Sequence, residues 1–263
     1  MARARFRFYQ RLNDFLPPAR RGHEFECECA RRATVKHMIE ALGVPHTEVE
    51  LVLVNGQPAG FGQVLADADR VAVYPGFEAL DVSALAPLRE PLPGRPSFVA
   101  DVHLGGLARQ LRMAGFDTVW ENNLDDAEIA QISIAQGRIV LTRDRELLKR
   151  REIIHGCYVR ALRPAEQAQE VFARLDLGAS ARPFTLCLHC NEPLREVTKE
   201  EVLARLPPRT SLHYQRFCTC DRCQRVFWQG PHWRRMLDLL GVWSAAAVAG
   251  QEDAAPDRSG DSG

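Results

Sequence analysis

The chain has 263 residues, of which 46% are hydrophobic and 26% are charged, and its formal net charge is zero. A chain of this size buries a sizeable core and is expected to divide into two or three domains. Zero net charge excludes a uniform polyanion-binding surface, and no run approaches the ~18 apolar residues of a membrane helix, so contacts with nucleic acid would need local clusters of Arg or Lys.

The first segment, residues 1–80, predicts a sheet with one helix. The opening run MARARFRFYQR lacks the apolar core of a signal peptide, so we expect a cytoplasmic protein without a membrane partner. RFRFYQR and EFECECA alternate as strands do, and TVKHMIEALGV has helical spacing. VELVLVNGQPA and DRVAVYPGF add strands around an Asn-Gly turn. This order of elements is typical of a β-grasp domain.

The run LVLVNGQPAGFGQVLADADRVAVYPGF resembles the ubiquitin-like sulfur-carrier proteins. Those proteins work through a free C-terminal Gly-Gly, whereas YPGFEAL continues into the next segment of this chain. The sequence therefore contradicts a sulfur-carrier function. We expect a module that docks a protein partner or positions substrate, with a purely structural role as the alternative.

Residues 81–96 carry four prolines and predict a linker, and residues 97–178 predict a second domain. In that domain the strands FVA, DTVW, RIVL and CYVRA alternate with helical patterns at 104–114, 126–136, 145–152 and 164–175. Such alternation indicates an α/β layer with a mainly parallel sheet.

Three acids follow strand ends or open helices in this second domain. Asp101 follows FVA, Asp126 opens a helix and Asp144 follows RIVL. Each has helix capping as an alternative role, but the spacing of Asp125 and Glu128 resembles a capping box and leaves Asp126 free. Ligands bind beyond the carboxyl ends of parallel strands, so we expect the three acids to lie together.

Carboxylates brought together repel unless a divalent cation neutralises them. Oxygen ligands of this kind suit Mg²⁺ or Mn²⁺, and phosphodiester hydrolysis is the chemistry that such metals support. The sequence therefore predicts a catalytic divalent metal at this site. His103, two residues from Asp101, is interpreted as a loop or supporting group rather than a general base.

Residues 179–241 contain two Cys-x-x-Cys pairs, CLHC at 187–190 and CDRC at 220–223. Together they predict a tetrahedral structural Zn²⁺ site with Cys187, Cys190, Cys220 and Cys223 as ligands. Cys218, His189 and His213 are alternative ligands. Residues 242–263 are rich in Ala, Gly, Ser and Asp and predict a disordered tail.

The runs FVADVHLGGLARQLRMAGFDT and DDAEIAQISIAQGRIVLTRDRELL, with the two cysteine pairs, resemble the Mut-seven C-terminal ribonuclease family. That resemblance implies a PIN-like α/β nuclease domain fused to a zinc ribbon, often after a ubiquitin-like domain. It implies metal-dependent ribonuclease activity carried by Asp101, Asp126 and Asp144, with Asp117 and Asp125 as possible additional acids.

Several arginines flank these acids. Arg143 and Arg145 adjoin Asp144, whereas Arg109 and Arg112 share a face of the first helix of this domain. We expect these four side chains to contact RNA phosphate. The other basic residues near the acids are expected to lie on solvated helix faces or in ion pairs. Residues 182–235 hold ten Arg or Lys and five acids, interleaved with aromatic residues that either stack on RNA or pack the ribbon core.

The sequence thus predicts a metal-dependent ribonuclease whose zinc ribbon aids RNA binding. The alternative is a non-catalytic RNA-binding or adaptor protein. We also expect residues 97–236 to suffice for activity without the β-grasp domain.

Overall fold

The computed structural model describes residues 2–76, 88, 94–230, 238 and 241. Most of the predicted linker at 81–96 and all of the predicted disordered tail at 242–263 lie outside the described residues. The described part forms three sheets of five, four and three strands. The three sheets follow one another along the chain.

The five-stranded sheet is a β-grasp, as the sequence predicts. Its elements are β1 (Arg3–Phe8), β2 (Phe25–Glu28), α1 (Val35–Ala41), β3 (Leu51–Val54), β4 (Gln57–Pro58) and β5 (Arg70–Tyr74). The strand order is β2-β1-β5-β3-β4, with β1 and β5 parallel. Alternation in β1 buries its Phe side chains and exposes its Arg side chains. Asn55 and Gly56 both have positive φ, as a two-residue hairpin turn requires.

The four-stranded sheet is entirely parallel, with the order β7-β6-β8-β9. Its elements are β6 (Phe98–Ala100), α2 (Gly105–Met113), β7 (Thr118–Val119), α3 (Asp126–Gln136), β8 (Ile139–Thr142), α4 (Arg145–Lys149), β9 (Gly156–Tyr158) and α5 (Pro164–Arg174). One apolar core joins α2 and α5 to one face, and a second joins α3 and α4 to the other. The predicted α/β layer is confirmed, although α4 ends before residue 152 because the chain turns to bury Ile153.

The three-stranded sheet is antiparallel and belongs to the cysteine-rich segment. It contains β10 (Arg195–Val197), α6 (Lys199–Val202), α7 (Pro208–His213), β11 (Phe217–Thr219) and β12 (Val226–Trp228). The two short helices between β10 and β11 were not predicted. Thr198 and Glu201 form a capping box that starts α6.

Candidate functional site

Three carboxylates lie at the carboxyl edge of the parallel sheet. Asp101 follows β6, and Asp144 follows the neighbouring strand β8 after one residue. Asp126 is the first residue of α3, which comes after β7 on the other side of β6. The placement agrees with the rule that loops at this edge carry the ligand-binding residues of α/β sheets.

Thr142 connects two of these acids. Its Oγ1 donates a hydrogen bond to Asp101 Oδ2 at 2.6 Å and accepts one from the Asp144 backbone N–H at 2.9 Å. Thr142 is buried at the end of β8, so it fixes both loops relative to the strand. Sequence reasoning missed this residue; the signal was a Thr two positions before the acid at a strand end.

Helix capping explains only some of the acids. Asp125 caps α3 by accepting from Glu128 N at 2.8 Å, with the reciprocal Glu128 contact that completes the predicted capping box. Asp144 caps α4 by accepting from Glu146 N at 2.7 Å. Asp101 makes no side-chain capping bond to the helical turn that follows it. Capping therefore gives no reason for Asp101 and only a partial reason for Asp144.

Two of the acids act electrostatically on the third. Asp126 is exposed, yet desolvation by its neighbours, and then the negative charges of Asp144 and Asp101, raise the pKa of Asp126 above its ordinary value. The folded state then holds this proton more tightly than the unfolded chain. The contribution of Asp126 to the free energy of unfolding is therefore fully present below the ordinary Asp pKa and is lost as pH rises through the raised pKa. A bound cation would offset the repulsion between the charges of the three acids.

The residues present fit a hydrated divalent cation. Carboxylate oxygens are the ligands that Mg²⁺ and Mn²⁺ take, and Mg²⁺ keeps several waters. Within the described part of the chain, the cysteine cluster is the one group of three or more Asp, Glu, His or Cys residues whose ligand atoms lie close enough together to hold an ion. The three carboxylates do not form such a group, so a cation at this edge would take several of its ligands from water.

Asp117 lies at the opposite edge of the sheet. Its backbone carbonyl accepts from Phe98 N at the start of β6, and its carboxylate accepts from Arg138 at 2.8 and 2.7 Å and from Asn191. Burial alone would raise the pKa of Asp117, but the hydrogen bonds from Arg138 and Asn191 lower it. The structure therefore gives Asp117 a role in joining the sheet to the cysteine-rich segment, away from the acid site.

Arg112 is also structural. It is only 4% exposed, and its guanidinium donates to the carbonyls of Thr118, Leu188 and His189 at 2.9, 3.2 and 2.9 Å. The expectation that Arg112 contacts RNA phosphate is corrected, because its donors hold the first cysteine loop against α2. Arg109, one turn earlier on α2, is exposed.

The two arginines beside Asp144 point to different roles. Arg145 lies over the Phe15 ring, 4.9 Å from its centroid, and its Nη1 donates to the Phe15 carbonyl at 3.3 Å. Its guanidinium therefore faces the β-grasp domain, and the expected phosphate contact of this half-buried side chain stays a prediction. Arg143 is exposed beside the acids and remains a candidate phosphate contact, as does Arg109.

Four cysteines form a second candidate metal centre. The Sγ atoms of Cys187, Cys190, Cys220 and Cys223 all lie within 4.8 Å of one another, with 3.7 Å between those of Cys187 and Cys223. Four Zn–S bonds of ~2.3 Å in a tetrahedron separate the sulfurs by about 3.8 Å. The cluster therefore fits zinc, and neither Cys218 nor the two histidines belong to it.

The two cysteine loops have the same backbone geometry. Cys187 N donates to Glu192 O and Asn191 N donates to Cys187 O, with Asn191 at a φ of 64°. In the second loop Cys220 N donates to Arg225 O and Gln224 N donates to Cys220 O, with Gln224 at a φ of 59°. This repetition is what paired zinc knuckles require, because each loop turns two thiolates toward one point.

We expect zinc to support folding of the cysteine-rich segment. Cys187→Ser should remove most of one bound zinc per chain and lower the unfolding temperature by on the order of 10 °C, because metal binding and folding are coupled in small ribbons. Metal analysis and thermal melting measure both. Cys218→Ser is the matched control, since Cys218 lies outside the cluster. Unchanged zinc content in Cys187→Ser would contradict this ligand set.

The aromatic residues of the ribbon pack its core and line a groove. Phe217 is buried in the ribbon core with Val202 and Leu206, and Tyr214 and Trp228 pack against it. Phe227 lines a groove of about 980 Å³ beside β11 and β12, which Phe217 and Trp228 also line. Other groove residues include Phe184, Leu188, His189, Gln215, Arg216 and Gln229. Trp233, another of the aromatic residues interleaved in the basic segment at 182–235, lies outside the described residues.

Within the described residues, no helix has the length and apolar character needed to cross a membrane.

The fold and the site define an α/β domain with an acidic carboxyl edge, flanked by a β-grasp domain and a four-cysteine cluster. Residues 96–240 match the model of the Mut7-C RNAse domain, and residues 1–81 match that of the Mut7-C ubiquitin domain. The chain therefore belongs to the Mut7-C ribonuclease family, with an N-terminal ubiquitin-like domain. The family supports a ribonuclease-type function in general terms.

A crystal structure of the small archaeal modifier protein 1 from H. volcanii matches with 21% identity and a TM-score of 0.24, over 29% of this chain and 100% of that chain. Comparison with curated proteins gave no match.

Proposed function

We propose that the protein is a divalent-metal-dependent ribonuclease that hydrolyses RNA phosphodiester bonds at the carboxyl edge of the parallel sheet. Asp101, Asp126 and Asp144 would hold Mg²⁺ or Mn²⁺. The observation that carries this proposal is the placement of the three acids at one edge of the sheet, where Thr142 Oγ1 bonds both the Asp101 carboxylate and the Asp144 backbone N–H. The raised pKa of Asp126, caused by desolvation and then by the charges of Asp144 and Asp101, agrees with like charges near one another.

The chain's own residues prepare the site for this reaction. When bound, the metal lowers the pKa of an attacking water and stabilises the leaving oxygen, so no covalent nucleophile is needed. Thr142 fixes the Asp101 carboxylate, and the α4 N-terminus fixes that of Asp144. Arg143 is exposed near this edge, and Arg109 is exposed on α2. Their guanidinium groups would hold the substrate phosphates.

The ribbon would bind RNA rather than take part in the reaction. A closed Cys₄ zinc site has no open coordination position for chemistry. The ribbon groove offers Phe184 and Phe227 as stacking partners for bases, with Arg216 at its wall. Since the first cysteine loop contacts the opposite edge of the sheet from the acids, a bound strand would have to pass along the domain to reach both.

The proposal includes the predicted division of the chain and its setting. The division is a β-grasp domain at 1–80, a linker at 81–96, a nuclease domain at 97–178, a zinc ribbon at 179–241 and a tail at 242–263. We place the protein in the cytoplasm, with RNA as its substrate and a protein partner for the β-grasp domain.

The test is a cleavage assay of the purified full-length protein on single-stranded RNA. We expect cleavage with Mg²⁺ or Mn²⁺ and none with EDTA, and restoration when the divalent ion is returned, because the acids alone supply no nucleophile. A preparation of the Asp101→Asn variant controls for contaminating ribonuclease. Cleavage that persists in EDTA would contradict the proposal, and RNA binding without any cleavage would favour the adaptor function.

A further inference from the structure

The β-grasp domain packs against the parallel sheet through a buried ionic contact. The Glu48 side chain has no solvent exposure; its Oε1 accepts from Tyr158 N at 2.7 Å and its Oε2 from Arg174 Nη2 at 2.7 Å. His46 Nε2 lies 2.8 Å from the Ile153 carbonyl, which accepts a hydrogen bond from it. The β-grasp domain therefore holds β9 and the residues that precede it.

A second contact extends this interface to α4. The Arg145 guanidinium lies 4.9 Å from the Phe15 ring centroid and 5.6 Å from that of Tyr158, and it donates to the Phe15 carbonyl. The two rings meet edge to face at 5.2 Å. Arg145 is thus held between an aromatic residue of each domain, in the geometry that favours cation–π attraction.

Arg145 directly follows Asp144, so its contacts with the Phe15 and Tyr158 rings act next to the acid site. Helix α4 has five residues, too few for a helix that is stable on its own. Its packing of Leu147 and Leu148 fixes one side, and Arg145 fixes the first turn. Because the Asp144 carboxylate caps this same turn at Glu146 N, its position depends on how the turn is held.

We propose that the β-grasp domain helps to build the acid site. Phe15 holds the Arg145 guanidinium, and Arg145, as a positioning residue, fixes the first turn of α4 and thereby the position of Asp144. This inference rests on the proposed function for the role of Asp144. It assigns the N-terminal domain a regulatory effect on metal binding: a partner that moved the 3₁₀ helix Gln10–Phe15 would move the first turn of α4.

The test compares three variants of the full-length protein. Phe15→Leu removes the ring without changing any charge, Arg145→Met removes the guanidinium, and Arg145→Lys keeps the charge. We expect Phe15→Leu and Arg145→Met to speed hydrogen exchange in residues 145–149 about tenfold. We also expect weaker Mn²⁺ binding and a kcat lower by about 10- to 100-fold, with KM within about twofold. Arg145→Lys should recover part of each loss.

Asp14→Asn is the matched control, since it breaks another ion pair of the same interface. Asp14 Oδ2 lies 3.3 Å from Arg160 Nε, and the Asp14 side chain is 60% exposed. This variant should leave exchange in α4, Mn²⁺ binding and kcat unchanged. Melting curves of all variants report whether the whole fold has loosened.

The outcomes separate this inference from the proposed function. Effects in Arg145→Met but not in Phe15→Leu would mean that Arg145 acts without the Phe15 ring, and would overturn the inference. Unchanged exchange in α4 in both variants would overturn it as well, whatever the activity. Wild-type protein that neither binds Mn²⁺ nor cleaves RNA would contradict the proposed function. The hydrogen-exchange measurement on α4 would still decide whether the β-grasp domain holds that helix.

Discussion

Asp101→Asn is expected to reduce RNA cleavage by roughly 10²- to 10⁴-fold, because several kcal/mol of transition-state stabilisation depend on a charge that holds the metal. The substitution keeps the side-chain size, and its remaining oxygen can still accept the hydrogen bond from Thr142 Oγ1. The fold should persist, since Asp101 makes no capping bond. Initial rates on single-stranded RNA, with melting curves alongside, measure both expectations.

Asp125→Asn is the control for Asp101→Asn. Asp125 is an exposed acid of the same edge, but its carboxylate is used to cap α3 at Glu128 N. Asn caps a helix about as well as Asp, so this variant should keep both stability and activity. If Asp101→Asn retained wild-type rates, or if Asp125→Asn lost as much activity, the proposed metal-binding acids would need to be reassigned.

The acid edge could be predicted from the sequence because its signals are local. Each acid stands at a strand-to-helix joint, and the parallel order of the strands brings such joints to one edge. The Asp125 cap was predicted for the same reason, since a capping box is written within four residues. The cysteine cluster was also predictable, because two identical loops specify one tetrahedral centre.

The partners of the arginines could not be predicted, because they lie far away in sequence. Arg112 bonds a carbonyl 77 residues later, and Arg145 bonds one 130 residues earlier. An arginine near an acidic site has the same local sequence whether it faces substrate or another domain. The phosphate-contact expectation therefore failed at Arg112, which is buried, and at Arg145 the structure shows a partner that the sequence did not reveal.

The contact between domains was equally invisible in the sequence, and it changes one expectation. Glu48 and Arg174 are 126 residues apart and lie in different predicted domains. The sequence predicted that residues 97–236 would be active alone. In the structure, removal of the β-grasp domain would take away the Glu48 carboxylate, which would leave the Tyr158 N–H without its acceptor and Arg174 with Glu170, at 3.6 Å, as its remaining carboxylate. We therefore now expect that truncation to be destabilised.

Glu48→Ala is expected to destabilise the full-length protein by about 3–5 kcal/mol, the usual effect of removing one partner from a buried ion pair. The Arg174 side chain is only 11% exposed, so water cannot replace the lost carboxylate well. The Tyr158 N–H also loses its acceptor. The unfolding temperature should fall by on the order of 10 °C, which thermal and urea melts of purified protein would measure.

Two further variants show whether the loss of stability in Glu48→Ala comes from depriving the Arg174 charge of the Glu48 carboxylate. Asp14→Asn removes an exposed partner of Arg160, so a change below about 1 kcal/mol is expected. Replacing both buried partners, as Glu48→Leu with Arg174→Met, removes the buried pair as a whole, and such apolar replacement is often nearly neutral. Arg160, which also lies 3.7 Å from Glu48, keeps Asp14 and Glu170 as partners. The double variant should therefore be more stable than Glu48→Leu alone.

If Glu48→Ala melted within about 2 °C of wild type, the two domains would not depend on this contact. If the double variant were instead the least stable, packing rather than charge would account for the role of Glu48, because both variants remove contacts but only the single one leaves Arg174 with Glu170 as its remaining carboxylate.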